Sequence, residues 1–319
     1  MNQQGHRFEL LAFIAAVLIA LQARVNGELS HLLGNSTQAA LISFGSGLIV
    51  ISIIAVFSKS IHDGLRKLRA AVRNNELPWW TLFAGMLGGA FVAVQTMTVV
   101  YIGVAMYTVA SIAGQTIASL VVDKLGITGM GKQHLTPRRL TAAFITIIAV
   151  FIAVYDRIDT SEASLAPALG AVVAGVFVGV QRALHGMTNK KSESGYTTSF
   201  INFIMGTAFL IVFLIVKLIS GISELEPLPS TPWWIYTGGV IGVIYIAITA
   251  MVVSHMGVLN FTLLSVGGQL IGSILIDFVL PTNAVEVTPN LLIGIALTYC
   301  GVIVGGAGNS RALRLLKHR

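Results

Sequence analysis

Two copies of one polar stripe interrupt a chain otherwise poor in polar side chains: Gln115, Ser119 and Asp123, and again Gln269, Ser273 and Asp277. A spacing of four keeps the three side chains on one helical face, drifting by about 40° per step. Each stripe follows a glycine, Gly114 or Gly268, which lets a second helix come close. Amides and hydroxyls in this arrangement can hydrogen-bond a polar molecule, but they supply no general acid or base. The competing role is interhelical bonding, worth about 0.6 kcal/mol and at most about 1.7 kcal/mol per contact. The glutamines are expected to line a cavity with Ser119 and Ser273 in support, although for the serines taken alone interhelical bonding weighs slightly more. Asp123 and Asp277 fall at the ends of their apolar runs, where carboxylates reach the interface.

A second matched pair, Gln22 and Gln181, lies one turn before Asn26 and His185. Both glutamines are expected at a central site, supported by the matched pair Ser43 and Asn202. Tyr107 and Phe261 also match and would form an aromatic wall. Arg24 and Arg182 lie beside the glutamines. Facing a cavity, they would attract an anion or pair with Asp123 or Asp277. Near span ends they snorkel to the headgroups at little cost, and snorkelling is the expectation here.

Composition says what kind of element must hold these groups. Residues AVILMFWYC make up 55% of the 319 positions and charged residues 10%, against roughly 25% charged in an ordinary soluble domain. Mean hydropathy is +0.83. These values exclude a soluble enzyme, a disordered chain and a nucleic-acid module, and indicate a polytopic membrane protein. The lone Cys300 permits neither a disulfide framework nor a cysteine metal site. The sequence has no Walker-A loop, no His-Glu-x2-His and no Gly-x-Ser-x-Gly. No catalytic role, cofactor or metal is therefore expected.

A window of about 20 apolar residues gives ten spans, near 9–26, 37–57, 80–100, 104–122, 139–155, 165–184, 197–217, 233–253, 258–280 and 290–308. Trp79-Trp80 and Trp233-Trp234 mark two entrances as interfacial anchors. With the N-terminus inside, the inner segments hold 17 Lys and Arg residues and the outer ones 3. That bias places both termini in the cytoplasm. The outer loops lean acidic, with Asp156, Asp159, Glu162, Glu224, Glu226 and Glu286.

The sequence also repeats itself. An offset of 159 brings Gln22 onto Gln181, Gly27 onto Gly186, Phe44 onto Phe203 and Gly47 onto Gly206. An offset of 154 brings Pro78-Trp79-Trp80 onto Pro232-Trp233-Trp234, Gly103-Val104 onto Gly257-Val258, and the first polar stripe onto the second. Thr136-Pro137 meets Thr288-Pro289 at 152. Five spans per half, residues 1–157 and 158–319, send the second half through the membrane in the opposite sense. Such an inverted repeat is an architecture of alternating-access carriers.

The Gln-x4-Gly after span one, the Ser-Phe-x2-Gly of 43–47, the Pro-Trp-Trp entrance and the Gly-Gln-x3-Ser-x3-Asp of span four resemble the YdcZ-like branch of the drug/metabolite transporter superfamily. The resemblance covers nearly the whole chain. It implies a bacterial inner-membrane carrier with a central site between the halves. The related small multidrug-resistance proteins carry a first-span glutamate, whereas the central polar residue of that span here is Gln22. No acid stands at the centre of any span, which argues against proton antiport and lipophilic-cation export.

The expectation is an all-α, ten-span secondary transporter of a small neutral or zwitterionic metabolite, embedded in the lipid bilayer. Small-x3-small faces such as Gly175-x3-Gly179 and Gly268-x3-Gly272 pack helices tightly and also suit a homodimer. The alternative is a non-transporting subunit or sensor that binds a partner through those faces.

Overall fold

Inside a bilayer every backbone N–H and C=O needs an internal partner, so isolated apolar runs fold as helices. The computed structural model describes residues 3–127, 136–158, 165–256, 258–279 and 288–306. Ten α-helices run through them: α1 (Gln3–Leu33), α2 (Ser36–Phe57), α3 (Lys59–Arg73), α4 (Ala84–Leu125), α5 (Pro137–Ile158), α6 (Leu165–Ser192), α7 (Gly195–Ile219), α8 (Gly238–Met256), α9 (Val258–Val279) and α10 (Pro289–Gly306). Each Pro-Trp-Trp entrance is a short 3-10 turn, Trp79–Phe83 and Trp233–Thr237. Among the described residues, six stretches are long and apolar enough to cross a membrane, the longest being Trp79–Leu125. Shorter apolar stretches lie in α5, α9 and α10.

The helices do not correspond one to one with the expected spans. Spans three and four lie within α4, which Gly103 breaks with φ 71° and ψ 171°, a backbone region open essentially to glycine. In a straight helix Phe91 and Tyr107 would stand about 24 Å apart at 1.5 Å per residue. Their ring centroids are 6.4 Å apart, so the two legs of α4 fold back on each other at this glycine. The extra helix is α3, over a segment expected to be a loop. Its five basic residues lie beside a buried face of Ile61, Gly64, Leu68 and Ala71, and the Ser58 side chain caps its start. This amphipathic pattern is too polar for a hydropathy window to pick out.

Packing follows the internal repeat. Helix α1 packs on α8 and α9, and its repeat mate α6 packs on α4, the mate of that pair. α2 meets its own mate α7, and α5 meets its mate α10. The exchange reaches single side chains. A methyl on Gly47 would strike the Phe203 ring and one on Gly206 the Phe44 ring, and those two rings lie 5.1 Å apart. Gly114 lies against the backbone of α6 at Val172 and Val176, and its mate Gly268 against α1 at Phe13 and Ala16.

The acids Asp159, Glu162 and Glu286, the cation Lys132 and those from Arg311 to Arg319, and Gly257 lie outside the described residues.

Candidate functional site

Two tiers of polar side chains occupy the interior where the halves meet. The first surrounds a cavity of ≈ 20 Å³, about the room one water needs. Gln22 from α1 and Gln181 from α6 reach it across two glycines. A methyl on Gly242 would lie 2.5 Å from Gln22 Nε2, and one on Gly88 would strike Gln181 Nε2. Gln22 donates to the Gly238 carbonyl at 2.9 Å, and Gln181 to Asn202 Oδ1 at 2.8 Å. Phe44 and Phe203 form one wall, Phe91 and Tyr245 another. Asn202 Nδ2 and the Ser43 hydroxyl are buried without a hydrogen-bond partner. Such orphan groups are uncommon, and here they lie at or near a cavity.

The second tier is built around Arg182. Its guanidinium donates to the Tyr245 hydroxyl at 2.8 and 3.2 Å, to Gln115 Oε1 at 2.6 Å and to Thr262 Oγ1 at 3.4 Å. It also lies 4.9 Å from the centroid of the Phe261 ring. Gln115 in turn donates to Ser111 at 3.0 Å and to Gln269 Oε1 at 3.4 Å, and Gln269 donates to Ser265 at 3.2 Å. The two stripe glutamines therefore meet each other where the repeats meet. They do not line the cavity.

Several expectations need correction. Arg182 does not snorkel: it is only 1% exposed. α6 runs on to Ser192, well past the expected span end at 184, so Arg182 lies deep within its helix. Arg24 is likewise buried and pairs with Glu28 at 2.5 Å one turn along α1. Asp123 and Asp277 are buried as well. Asp277 accepts from the Ala105 N–H at 2.7 Å and the Val104 N–H at 3.4 Å. It thereby caps the α4 leg that starts after Gly103, where the break leaves N–H groups without helical partners. Ser119 and Ser273 donate to the Thr116 and Leu270 carbonyls of their own helices. His185, expected at a span end, is buried inside α6 with neither ring nitrogen bonded. Tyr245 and Thr262 were not singled out from sequence. The available signal was that Tyr245 carries a hydroxyl where its mate Phe91 has none.

Contacts between the halves tie both ends of the assembly. At one end, Asn35 and Gln38 of the first half donate to the Glu224 and Glu226 carbonyls at 2.8 and 2.7 Å, and Lys217 donates to Thr37 at 2.9 Å. At the other, Lys67 meets Glu193 at 2.5 Å and Lys191 meets Glu76 at 2.7 Å. The Lys191 ammonium holds the Glu76 carboxyl below the usual carboxylate range. That contact is therefore intact at neutral pH and is lost as acid protonates Glu76. Among the described residues, no three His, Cys, Asp or Glu side chains cluster to hold a metal.

A family model described as "Putative inner membrane exporter, YdcZ" matches residues 8–152 and again residues 166–304. No curated protein matches the chain. A solved structure described only as "Crystal structure of protein" aligns with a TM-score of 0.59 at 13% identity, over 96% of this chain and 98% of its own. At that identity the likeness speaks for the fold alone. The two family matches, one per half, agree with the reciprocal packing and point to a duplicated architecture. The chain belongs to the DMT_YdcZ family, and is a multi-pass helical protein of the inner membrane.

Proposed function

We propose, from that membership, that the chain is a secondary carrier that exports a small polar metabolite by alternating access through the Gln22–Gln181 cavity. In this reading α1, α2, the two legs of α4, and α5 form the first five spans. The helices α6 to α10 form an inverted second five, with a boundary near residue 157 and both termini in the cytoplasm. The 17 to 3 distribution of Lys and Arg supports the orientation, and moving the buried Arg182 off the inner count leaves the bias in place. The family description supports export over import. Without a Walker-A loop in the sequence, the cycle runs on gradients.

The observation that carries the reading is a cavity between matched halves, with room for about one water and with ties between the halves at both ends. A site so enclosed admits a metabolite only when one end separates. Rocking of two similar halves about the cavity would do this from either side in turn. The Lys67–Glu193 and Lys191–Glu76 pairs are exposed, where water and salt screen them and they contribute little. Contacts that weak suit an end that must open repeatedly.

A thermal-shift screen of the purified protein against polar metabolites tests the reading. A ligand held only by the folded carrier at 100 times its Kd adds about 2.7 kcal/mol of apparent stability. The expected result is a hit that is lost in a folded Gln22→Leu/Gln181→Leu variant and that is taken up in counterflow by proteoliposomes. A hit that binds without counterflow would contradict carriage.

A further inference from the structure

We propose that Arg182 makes the interior an anion receptor, and that the transported molecule carries a single carboxylate. This rests on the carrier reading and goes beyond it by naming the charge of the substrate, an anion in place of the neutral or zwitterionic molecule expected from sequence. All of the guanidinium's hydrogen-bond partners are neutral: a tyrosine hydroxyl, an amide oxygen and a threonine hydroxyl. Among the described residues no carboxylate pairs with it. An unpaired charge at depth in a membrane protein is costly, and such residues typically mark substrate or ion pathways.

Packing does not require the charge. The matched position in the first half is Ala23, equally buried at 1% exposure. The duplicated fold thus closes around a methyl group at one copy of this position. The guanidinium breaks the symmetry of the site.

The geometry gives an anion a route to it. Gln181, the neighbour of Arg182 on α6, faces the cavity, and Tyr245 stands between, with its ring on the cavity wall and its hydroxyl on the guanidinium. Nη2 uses one N–H on that hydroxyl and keeps another. A carboxylate that displaces the tyrosine hydroxyl meets a planar fork suited to bidentate binding. One turn further, His185 offers a buried ring with both nitrogens unbonded. A single guanidinium neutralises a single carboxylate, whereas a phosphate dianion would leave net charge buried. This favours a monoanion.

The test compares acids with their uncharged amides. Formate, lactate and benzoate, then formamide, lactamide and benzamide, and finally inorganic phosphate are added to purified wild type, Arg182→Ala, Arg182→Lys and Tyr245→Phe. The acids should raise the wild-type Tm and the amides should not. Arg182→Ala, the residue of the other repeat, should fold with a lowered Tm, since Tyr245, Gln115 and Thr262 lose their donor, and should lose the carboxylate response. Arg182→Lys should keep a weaker one. Tyr245→Phe keeps the ring but removes the competing hydroxyl, and should tighten carboxylate binding about 3- to 10-fold. That variant decides the matter if Arg182→Ala does not fold.

Equal shifts from acids and amides, a response to phosphate alone, no response of the wild type to any acid, or a response that survives Arg182→Ala would each overturn the proposal. Counterflow of labelled lactate and lactamide separates this proposal from the carrier reading. Lactamide flux that needs Gln22 and Gln181 but not Arg182 would leave a carrier without an anion site. Carboxylate binding without flux would leave an anion site without a carrier.

Discussion

Flux should fall at least ~30-fold when Gln22 and Gln181 are both replaced by leucine, while the protein still folds. Leucine is close to glutamine in bulk, so the walls of the cavity stay in place. What is lost is the amide pair facing the space between Gly88 and Gly242. Each buried polar group left without a partner costs about 1–3 kcal/mol. Two such losses on a bound substrate give about 2–6 kcal/mol, and about 1.4 kcal/mol corresponds to each factor of ten. The Gly238 carbonyl and Asn202 lose donors as well, so a modest drop in Tm should accompany the loss. Counterflow of an identified substrate, normalised to folded protein, measures the effect. Flux within threefold of wild type would move the site away from these residues.

The second large effect concerns folding. Gly114→Leu should leave little monodisperse protein after extraction, because even a methyl at this position would land on the Val172 carbonyl oxygen. A backbone atom cannot turn aside as a side-chain tip can. Overpacking of a tight core by small-to-large changes costs about 1–3 kcal/mol and occasionally more, and here the α4–α6 interface must separate along its length. Gly175 meets the Ser111 carbonyl in the same way, so its substitution should behave alike. Gly268→Leu should be milder, since a methyl there would lie 2.7 Å from the Phe13 carbonyl. Gly45, with nothing within 4 Å of such a methyl, is the control that should tolerate leucine. Size-exclusion profiles of the four variants rank them directly, and a normal profile for Gly114→Leu would show that α4 and α6 do not meet as described.

The repeat was readable because its marks are residues that geometry demands: glycines where backbones touch, prolines and tryptophans at entrances, and amides in matched pairs. Gln115 and Gln269 are expected from the repeat to line a cavity, and instead they touch each other at 3.4 Å. The ends of α1 and α6 were harder to read. Asn26, Glu28, His185 and Asn189 look like loop residues to a hydropathy window, yet they continue helices whose inner faces they line. A window that ends this span at 184 therefore puts Arg182 at an end, whereas it sits in the interior. Asp277 reads as an interfacial residue because nothing local shows that its partners are the N–H groups of Val104 and Ala105, some 170 residues away in sequence. The fold-back at Gly103 was visible as a boundary between spans, but its sharpness depends on a backbone conformation that a glycine permits without announcing.

The central claim is that the cavity between the halves opens to each side of the membrane in turn. Its most direct test uses the chain's lone cysteine, Cys300. With Cys300→Ser as background, Asn202→Cys places one thiol on the cavity wall. A membrane-impermeant thiol reagent is then applied to right-side-out and to inside-out vesicles. Labelling from both faces, slower than at an exposed control thiol, is the predicted result, because each opening exposes the same residue to a different side. Labelling from one face only, or from neither, would contradict alternating access through this cavity.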